Sequence, residues 1–273
     1  MDAISGVLLG VVQGLTEFLP ISSSGHLVLF QNLLGFRAPE LLLDASLHAG
    51  TLLAVCVFFR KDLVRMASEA LVIASVLFKG GPRRAETLDT ARDSLVVWVV
   101  LGNVPTALIG LLFREELEGL FASVRVVGVM LLATGVLLAL TALPGSSRNR
   151  LARPTVWVAL AVGIAQGLAI IPGISRSGAT IACGLLLGME RDLAARYSFL
   201  LSLPAIAGAL LLQAADGGGG TAGPGAILLG GFSAALVGLA ALKLLVNMVR
   251  RGRLAWFAPY CWAVGGAVLF VSL

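Results

Sequence analysis

The chain has 273 residues, of which 58% are hydrophobic and only 13% are charged, and its formal net charge is +5. The charged fraction is about half of the roughly 25% usual in soluble domains, which excludes an ordinary soluble protein. Charge-free runs near the membrane-crossing length of about 20 residues recur, at 94–113, 126–147, 154–175, 197–215 and 254–273. Lipid offers backbone amides no partner, so the sequence predicts an all-α polytopic membrane protein. Its basic residues fall mainly in short loops, which indicates topology and no nucleic-acid partner.

The first predicted element, 1–36, is a pair of half-helices that meet near Pro20. Gln13 and Glu17 are four residues apart, so both face one side of the first half-helix. Pro20 breaks that helix. The loop that follows contains Ser22, Ser23, Ser24, Gly25 and His26. Irregular polar backbone at membrane depth is tolerated only where it lines a cavity or is buried in protein.

Six full spans are predicted along the chain, and the loop charges orient them. The spans lie at about 41–59, 95–113, 126–143, 194–213, 226–248 and 254–272. Lysines and arginines concentrate in 60–94, 144–156 and 250–253, so these loops are expected in the cytoplasm. Loops 114–125 and 216–225 are net acidic and are expected outside. The apolar stretch 66–78 is too short to span and predicts an interfacial or packed helix.

The segment 156–190 cannot be a simple crossing, because this topology places both of its ends in the cytoplasm. We therefore expect a re-entrant helix–loop–helix. By the same count residue 40 is external, so 1–36 is expected to be re-entrant from the outside, and both chain termini are expected to be external.

These two re-entrant segments resemble each other in sequence. Gln13-Gly14-Leu15 matches Gln166-Gly167-Leu168, and Ser24-Gly25 matches Ser177-Gly178, both 153 positions apart. Each half of the single membrane domain 1–273, namely 1–143 and 156–273, is then one re-entrant segment plus three spans. An odd number of crossings turns the second half over, so the sequence predicts an inverted-topology repeat with its site where the broken helices meet.

The polar residues of the two copies differ in chemistry. Ionisable groups at membrane depth are costly and therefore functional candidates, here Glu17, His26 and Arg176. Small loop residues and helix N-termini suit a phosphate, and a guanidinium can grip phosphate oxygens with two parallel hydrogen bonds. The second copy adds Gly173, Ser175, Ser177 and Thr180.

Structural roles stay open for each of these groups. Glu17 could merely pair with Arg176 as a buried ion pair. His26 could cap a half-helix, and each serine could be a cap or a packing residue.

The runs QGLTEFLPISSSGH at 13–26 and PGISRSGAT at 172–180 resemble the undecaprenyl-diphosphate phosphatase family, also called bacitracin-resistance proteins. The resemblance covers nearly the whole chain. The family's Glu/Gln-x-x-x-Glu motif falls on Gln13 and Glu17, its Pro-Gly-x-Ser-Arg-Ser-x-x-Thr motif on 172–180, and its histidine on His26. Gln13 takes the glutamine option, so it cannot act as a base.

The resemblance implies hydrolysis of undecaprenyl diphosphate to undecaprenyl phosphate and phosphate, which recycles the lipid carrier of cell-wall synthesis and confers bacitracin resistance. It implies a polyprenyl diphosphate substrate in the bacterial cytoplasmic (inner) membrane. It also implies Mg²⁺ or Ca²⁺, for which Glu17 is the candidate ligand. The predicted catalytic residues are Glu17, His26, Ser23 and Arg176. The predicted substrate-binding residues are Gln13, Ser22, Ser24, Gly25, Gly173, Ser175, Ser177 and Thr180.

Several alternatives stay open at this point. The nucleophile is Ser23, His26 or water, and a homodimer is left open. A transporter or flippase of an anionic lipid headgroup is the second function, and a structural subunit the third. Because only the first loop enters from outside, the site is expected to open to the periplasmic or extracellular side.

Overall fold

The computed structural model describes residues 2–33, 41–79, 94–143, 151–215 and 222–272. The predicted loop residues 34–40, 80–93, 144–150 and 216–221 lie outside these ranges. Within them every regular element is a helix. The helices are α1 Ala3–Phe18, α2 Ser23–Leu33, α3 Leu41–Phe58, α4 Arg60–Lys79, α5 Leu95–Leu112, α6 Arg114–Leu120, α7 Val124–Leu140, α8 Val156–Leu168, α9 Arg176–Leu186, α10 Arg191–Ala215, α11 Pro224–Arg250 and α12 Ala258–Val271, with a 3₁₀ turn Leu254–Phe257 before α12.

Five of the described helical stretches are long and apolar enough to cross a membrane: α3, α5, α10, α11 and Leu254–Val271. Each overlaps a predicted span, which confirms an all-helical, multi-pass membrane protein. The remaining predicted span, 126–143, coincides with α7, which has only 17 residues and follows α6 at a bend of 96°. A crossing by α7 therefore stays a prediction.

Polar caps begin several of these apolar helices. The side chains of Asp2, Ser94, Ser123 and Thr155 accept hydrogen bonds from backbone N–H groups in the first turns of α1, α5, α7 and α8. Such caps satisfy amide donors that have no partner inside the helix. The short helix predicted at 66–78 is part of α4. This helix begins earlier, at Arg60 directly after α3, and includes a charged first turn.

The short helices α1 and α8 each pack against a long helix of the other half of the chain. α1 lies along α11, and α8 lies along α5. Gly10 and Gly163, which are 153 positions apart, sit at these two contacts. A Cβ atom would lie 2.3 Å from the Gly230 carbonyl oxygen at Gly10 and 1.9 Å from the Gly102 carbonyl oxygen at Gly163. Only glycine permits this backbone approach, so the same residue serves the same packing role in both halves.

Candidate active site

The two polar loops predicted from the repeat lie against each other in the fold. One joins α1 to α2 and the other joins α8 to α9. The Ser22 hydroxyl accepts a hydrogen bond from the backbone N–H of Gly173 at 3.1 Å. A Cβ on Gly25 would lie 3.5 Å from the Gly173 Cα, so the loops touch through their glycines. The structure thus brings residues about 150 positions apart into one cluster.

Both loops end in the same helix cap. Ser22 accepts from the N–H of Gly25 at 3.3 Å and starts α2, and Ser175 accepts from the N–H of Gly178 at 3.1 Å and starts α9. In each loop the capping hydroxyl also lies 3.3 Å from a second hydroxyl, Ser24 in the first and Ser177 in the second. The capping role left open for the serines therefore holds for Ser22 and Ser175.

The second loop is held in place by its own Gly173 and by Thr134 of α7, which was not among the predicted site residues. Gly173 adopts φ +99°, a conformation that favours glycine, and a Cβ there would lie 2.5 Å from the Val127 carbonyl oxygen. Thr134 of α7 donates to the Gly173 carbonyl at 3.0 Å and accepts from the Ser175 N–H at 3.1 Å. A lone threonine in an apolar span carries no signal that distinguishes such a role from ordinary helix packing.

Glu17 joins the two loops at the centre of the cluster. Its side chain is only 4% exposed and forms an ion pair with the Arg176 guanidinium through Oε1. Its Oε2 accepts from the Ser23 hydroxyl at 2.6 Å and from Gln13 Nε2 at 3.0 Å. The buried ion pair left open from the sequence is therefore present. The same carboxylate also holds a serine hydroxyl in the position of a proton donor to a general base.

Gln13 contributes a second oxygen to this cluster. A carboxylate only accepts hydrogen bonds, so the Gln13 amide must present its Nε2 to Glu17. Its Oε1 then points elsewhere, is buried, and has no partner among the described residues. Buried polar atoms are rarely left unpaired, so this oxygen marks a place for a further polar group.

His26 is held at both ring nitrogens. Nδ1 lies 2.8 Å from the Ser22 carbonyl, which only accepts, so Nδ1 carries the proton and donates. Nε2 lies 2.8 Å from the hydroxyl of Tyr260 on α12. The imidazole does not hydrogen-bond to the Ser23 hydroxyl or to Glu17, and Tyr260 was not among the residues predicted from the sequence.

Thr180 and Gln166 are both buried, and neither hydrogen-bonds to Glu17. The Thr180 hydroxyl donates to the Arg176 carbonyl at 2.7 Å and meets the hydroxyl of Ser198. Gln166, the counterpart of Gln13, donates to Thr106 at 3.2 Å and to Asn103 at 3.3 Å. At the position that corresponds to Glu17 the second half has Ile170 and thus no carboxylate.

Known proteins resemble this chain over its whole length. It matches the family described as Bacitracin resistance protein BacA over residues 6–267. A protein named undecaprenyl-diphosphatase from Desulfatibacillum aliphaticivorans is 50% identical over 274 residues, covering 100% of this chain and 99% of the relative. Proteins of the same name are 48% identical in Desulfosudis oleivorans (100% of both chains) and 44% identical in Korarchaeum cryptofilum (98% of this chain, 99% of the relative). The matched range includes both polar loops.

Proposed function

Since this chain belongs to the Bacitracin resistance protein BacA family, we propose that the cluster around Glu17 is the site at which it hydrolyses undecaprenyl diphosphate to undecaprenyl phosphate and phosphate. The chain is a membrane phosphatase whose substrate is a polyprenyl diphosphate, and this activity recycles the lipid carrier and gives bacitracin resistance. The observation that carries the site assignment is the Glu17 carboxylate, which contacts Ser23 at the start of α2 and Arg176 at the start of α9.

The geometry favours Ser23 as the nucleophile. Its hydroxyl already donates to Glu17 Oε2 at 2.6 Å, so the carboxylate can take the proton as Ser23 Oγ attacks the terminal phosphorus. A new O–P bond forms, the bond from phosphorus to the bridging oxygen breaks, and undecaprenyl phosphate leaves. Water then attacks the phosphoserine and releases phosphate, and Glu17 returns the proton to Ser23.

Arg176 supplies positive charge for the phosphate oxygens. Its guanidinium has five N–H donors in a fixed fork, so it can hold Glu17 on one side and phosphate oxygens on another. It stands in the first turn of α9, where the helix dipole also favours an anion. The ion pair with Glu17 would then keep the guanidinium in place before substrate binds.

His26 serves best as a positioning residue in this scheme. Its ring Nδ1–H and its backbone N–H both donate to the Ser22 carbonyl, at 2.8 and 3.2 Å. Ser22 adopts φ +70°, an unfavourable conformation for serine, and its carbonyl directly precedes Ser23. Attack by His26 itself would require the loss of one of its two ring hydrogen bonds.

A divalent cation fits the site only in part. Among the described residues no three His, Cys, Asp or Glu side chains come together as a metal cage. The Glu17 carboxylate and the unpartnered Gln13 Oε1 are the oxygen ligands that would hold Mg²⁺ or Ca²⁺, with the remaining ligands from substrate and water. When bound, the ion would neutralise charge on the phosphate oxygens.

We further propose that α1–α2 and α8–α9 are the two re-entrant segments of an inverted repeat. Their helices have 16, 11, 13 and 11 residues, short of the roughly 20 needed to span. The reciprocal packing of α1 on α11 and of α8 on α5 supports a two-fold relation between the halves. The loop charges then favour a site open to the outside of the bacterial inner membrane.

Phosphate release by the purified chain in detergent tests the function. We expect release of one phosphate per undecaprenyl diphosphate, together with undecaprenyl phosphate. A flippase would instead move the lipid between leaflets of a liposome and release no phosphate, which would contradict the proposal.

The facing of the site has its own test. A cysteine introduced at Ser24 in a variant without the three native cysteines should react with an impermeant thiol reagent on intact cells. Labelling only after permeabilisation would place the loop on the cytoplasmic side.

A further inference from the structure

Tyr260 is the one residue from the last helix that hydrogen-bonds to His26 among the described residues. Its hydroxyl lies 2.8 Å from His26 Nε2, and the two rings stack with centroids 5.8 Å apart and planes inclined by 12°. The side chain of His26 is almost fully buried, whereas Tyr260 is 43% exposed. Tyr260 therefore forms the outer face of this ring pair.

The hydrogen-bond directions along this path are fixed by the chemistry of the partners. Since Nδ1 keeps its proton and donates it in a hydrogen bond to the Ser22 carbonyl, a neutral His26 has only a lone pair at Nε2, and the Tyr260 hydroxyl must donate to it. This arrangement selects one tautomer and one ring orientation of His26.

The position of Tyr260 is set by its neighbours in α12. Pro259 stands in the first turn, where its missing N–H costs no hydrogen bond. Cys261 is fully buried and its thiol donates to the Pro20 carbonyl at 3.5 Å. Two successive residues of the first turn of α12 are thus bonded to the first polar loop and to the helix α2 that follows it.

We infer that Tyr260 is a positioning residue that acts through His26 on Ser23. The Tyr260 hydroxyl fixes the imidazole, and the imidazole holds the Ser22 carbonyl. That carbonyl belongs to the peptide bond to Ser23, whose hydroxyl contacts Glu17. The inference rests on the proposed function, because it assumes that the placement of Ser23 determines turnover.

Tyr260→Phe tests the inference, because it removes the hydroxyl and keeps the stacked ring. We expect kcat for phosphate release from undecaprenyl diphosphate to fall about 3- to 10-fold, the effect of one hydrogen bond. KM should change less than about two-fold. The matched control is Tyr197→Phe, which removes the only other tyrosine hydroxyl of the chain, bonded to the Trp98 carbonyl at 2.8 Å. That variant should unfold at a lower temperature and retain its kcat.

Nitrogen NMR of ¹⁵N-histidine-labelled protein reports directly on the hydrogen bond between Tyr260 and His26, and kcat reports on its effect on turnover. The chain has two histidines, so the signals that disappear in His48→Gln identify those of His26. In Tyr260→Phe the Nε2 resonance of His26 should shift toward that of an unbonded ring nitrogen. An unchanged Nε2 resonance together with an unchanged kcat would overturn the inference.

Histidine variants separate this inference from the proposed function. His26→Ala should lower kcat at least as much as Tyr260→Phe, and adding Tyr260→Phe to it should cause no further loss. His26→Asn, whose amide can replace the Nδ1–H donor to Ser22, should retain more activity than His26→Ala. If turnover is impaired in His26→Ala and normal in Tyr260→Phe, the role inferred for Tyr260 is refuted while that of His26 stands. Normal turnover in His26→Ala would remove His26 from the mechanism, and the role of Tyr260 with it.

Discussion

Variants of the ion pair between Glu17 and Arg176 can separate a structural role of these residues from a catalytic one. The Glu17 side chain is 4% exposed and that of Arg176 is 20% exposed. Removing one partner of a buried pair leaves an uncompensated charge and costs about 3–5 kcal/mol, whereas replacing both partners is often nearly neutral. We therefore expect Arg176→Met to be strongly destabilised and the double variant with Glu17→Gln to recover most of the lost stability.

Turnover should respond differently from stability in Arg176→Met, in Glu17→Gln and in the double variant that combines them. Removing a preorganised group that stabilises developing charge costs about 10²- to 10³-fold in kcat. Both single variants and the double variant should lose at least about 10²-fold, because the double variant restores the fold and not the chemistry.

Thermal unfolding and phosphate release, measured on the same detergent-solubilised samples, provide the comparison. A cost of about 3–5 kcal/mol corresponds to a drop of roughly 10 °C in the unfolding midpoint. If turnover returns together with stability in the double variant, the pair is structural and the reasoning fails.

Three further predictions concern the loops and the ion. Ser23→Ala should lower kcat by about 10²- to 10⁴-fold, while Ser202→Ala, which removes a buried hydroxyl bonded to the Phe199 carbonyl at 2.8 Å, should keep it; mass spectrometry that finds a trapped phosphoryl group elsewhere would refute Ser23. Thr134→Val should lower the free energy of unfolding by about 1–3 kcal/mol in chemical denaturation, because it leaves the buried Ser175 N–H unpaired, and unchanged stability would contradict this. Chelation by EDTA should abolish phosphate release and Mg²⁺ or Ca²⁺ should restore it, whereas full activity in EDTA would exclude the ion.

The sequence predicted the membrane-crossing helices well because their signal is strong. Long apolar runs must be helical in lipid, and α3, α5, α10 and α11 follow from that rule alone. The helix α7 coincides with the predicted span 126–143, but the bend before it was not predicted, since the charged residues of 114–125 were assigned to a loop and form the helix Arg114–Leu120 instead.

The repeat predicted that its two polar loops would lie together, and the structure shows them in contact. Ser22 and Ser175 are 153 positions apart, which is the offset of the sequence repeat, and each caps the helix that follows its loop. The contact between Ser23 and Glu17 also lies within the predicted set of residues.

The residues that support the loops were not predictable from one sequence. Thr134 and Tyr260 lie in apolar helices far along the chain from the groups they contact. Their roles depend on tertiary packing, and a threonine or tyrosine in a span is ordinarily a packing or interfacial residue.

Phosphate release by Glu17→Gln, compared with Glu69→Gln, tests the central claim most directly. Glu69 is a suitable control because it also accepts hydrogen bonds from an arginine, Arg65 at 2.7 Å, and from a serine, Ser94 at 2.6 Å, but belongs to α4. If the cluster around Glu17 is the active site, Glu17→Gln should release phosphate from undecaprenyl diphosphate at least about 10²-fold more slowly than the unmodified chain, and Glu69→Gln at nearly its rate. Near-normal release by a folded Glu17→Gln variant would contradict the assignment of the site.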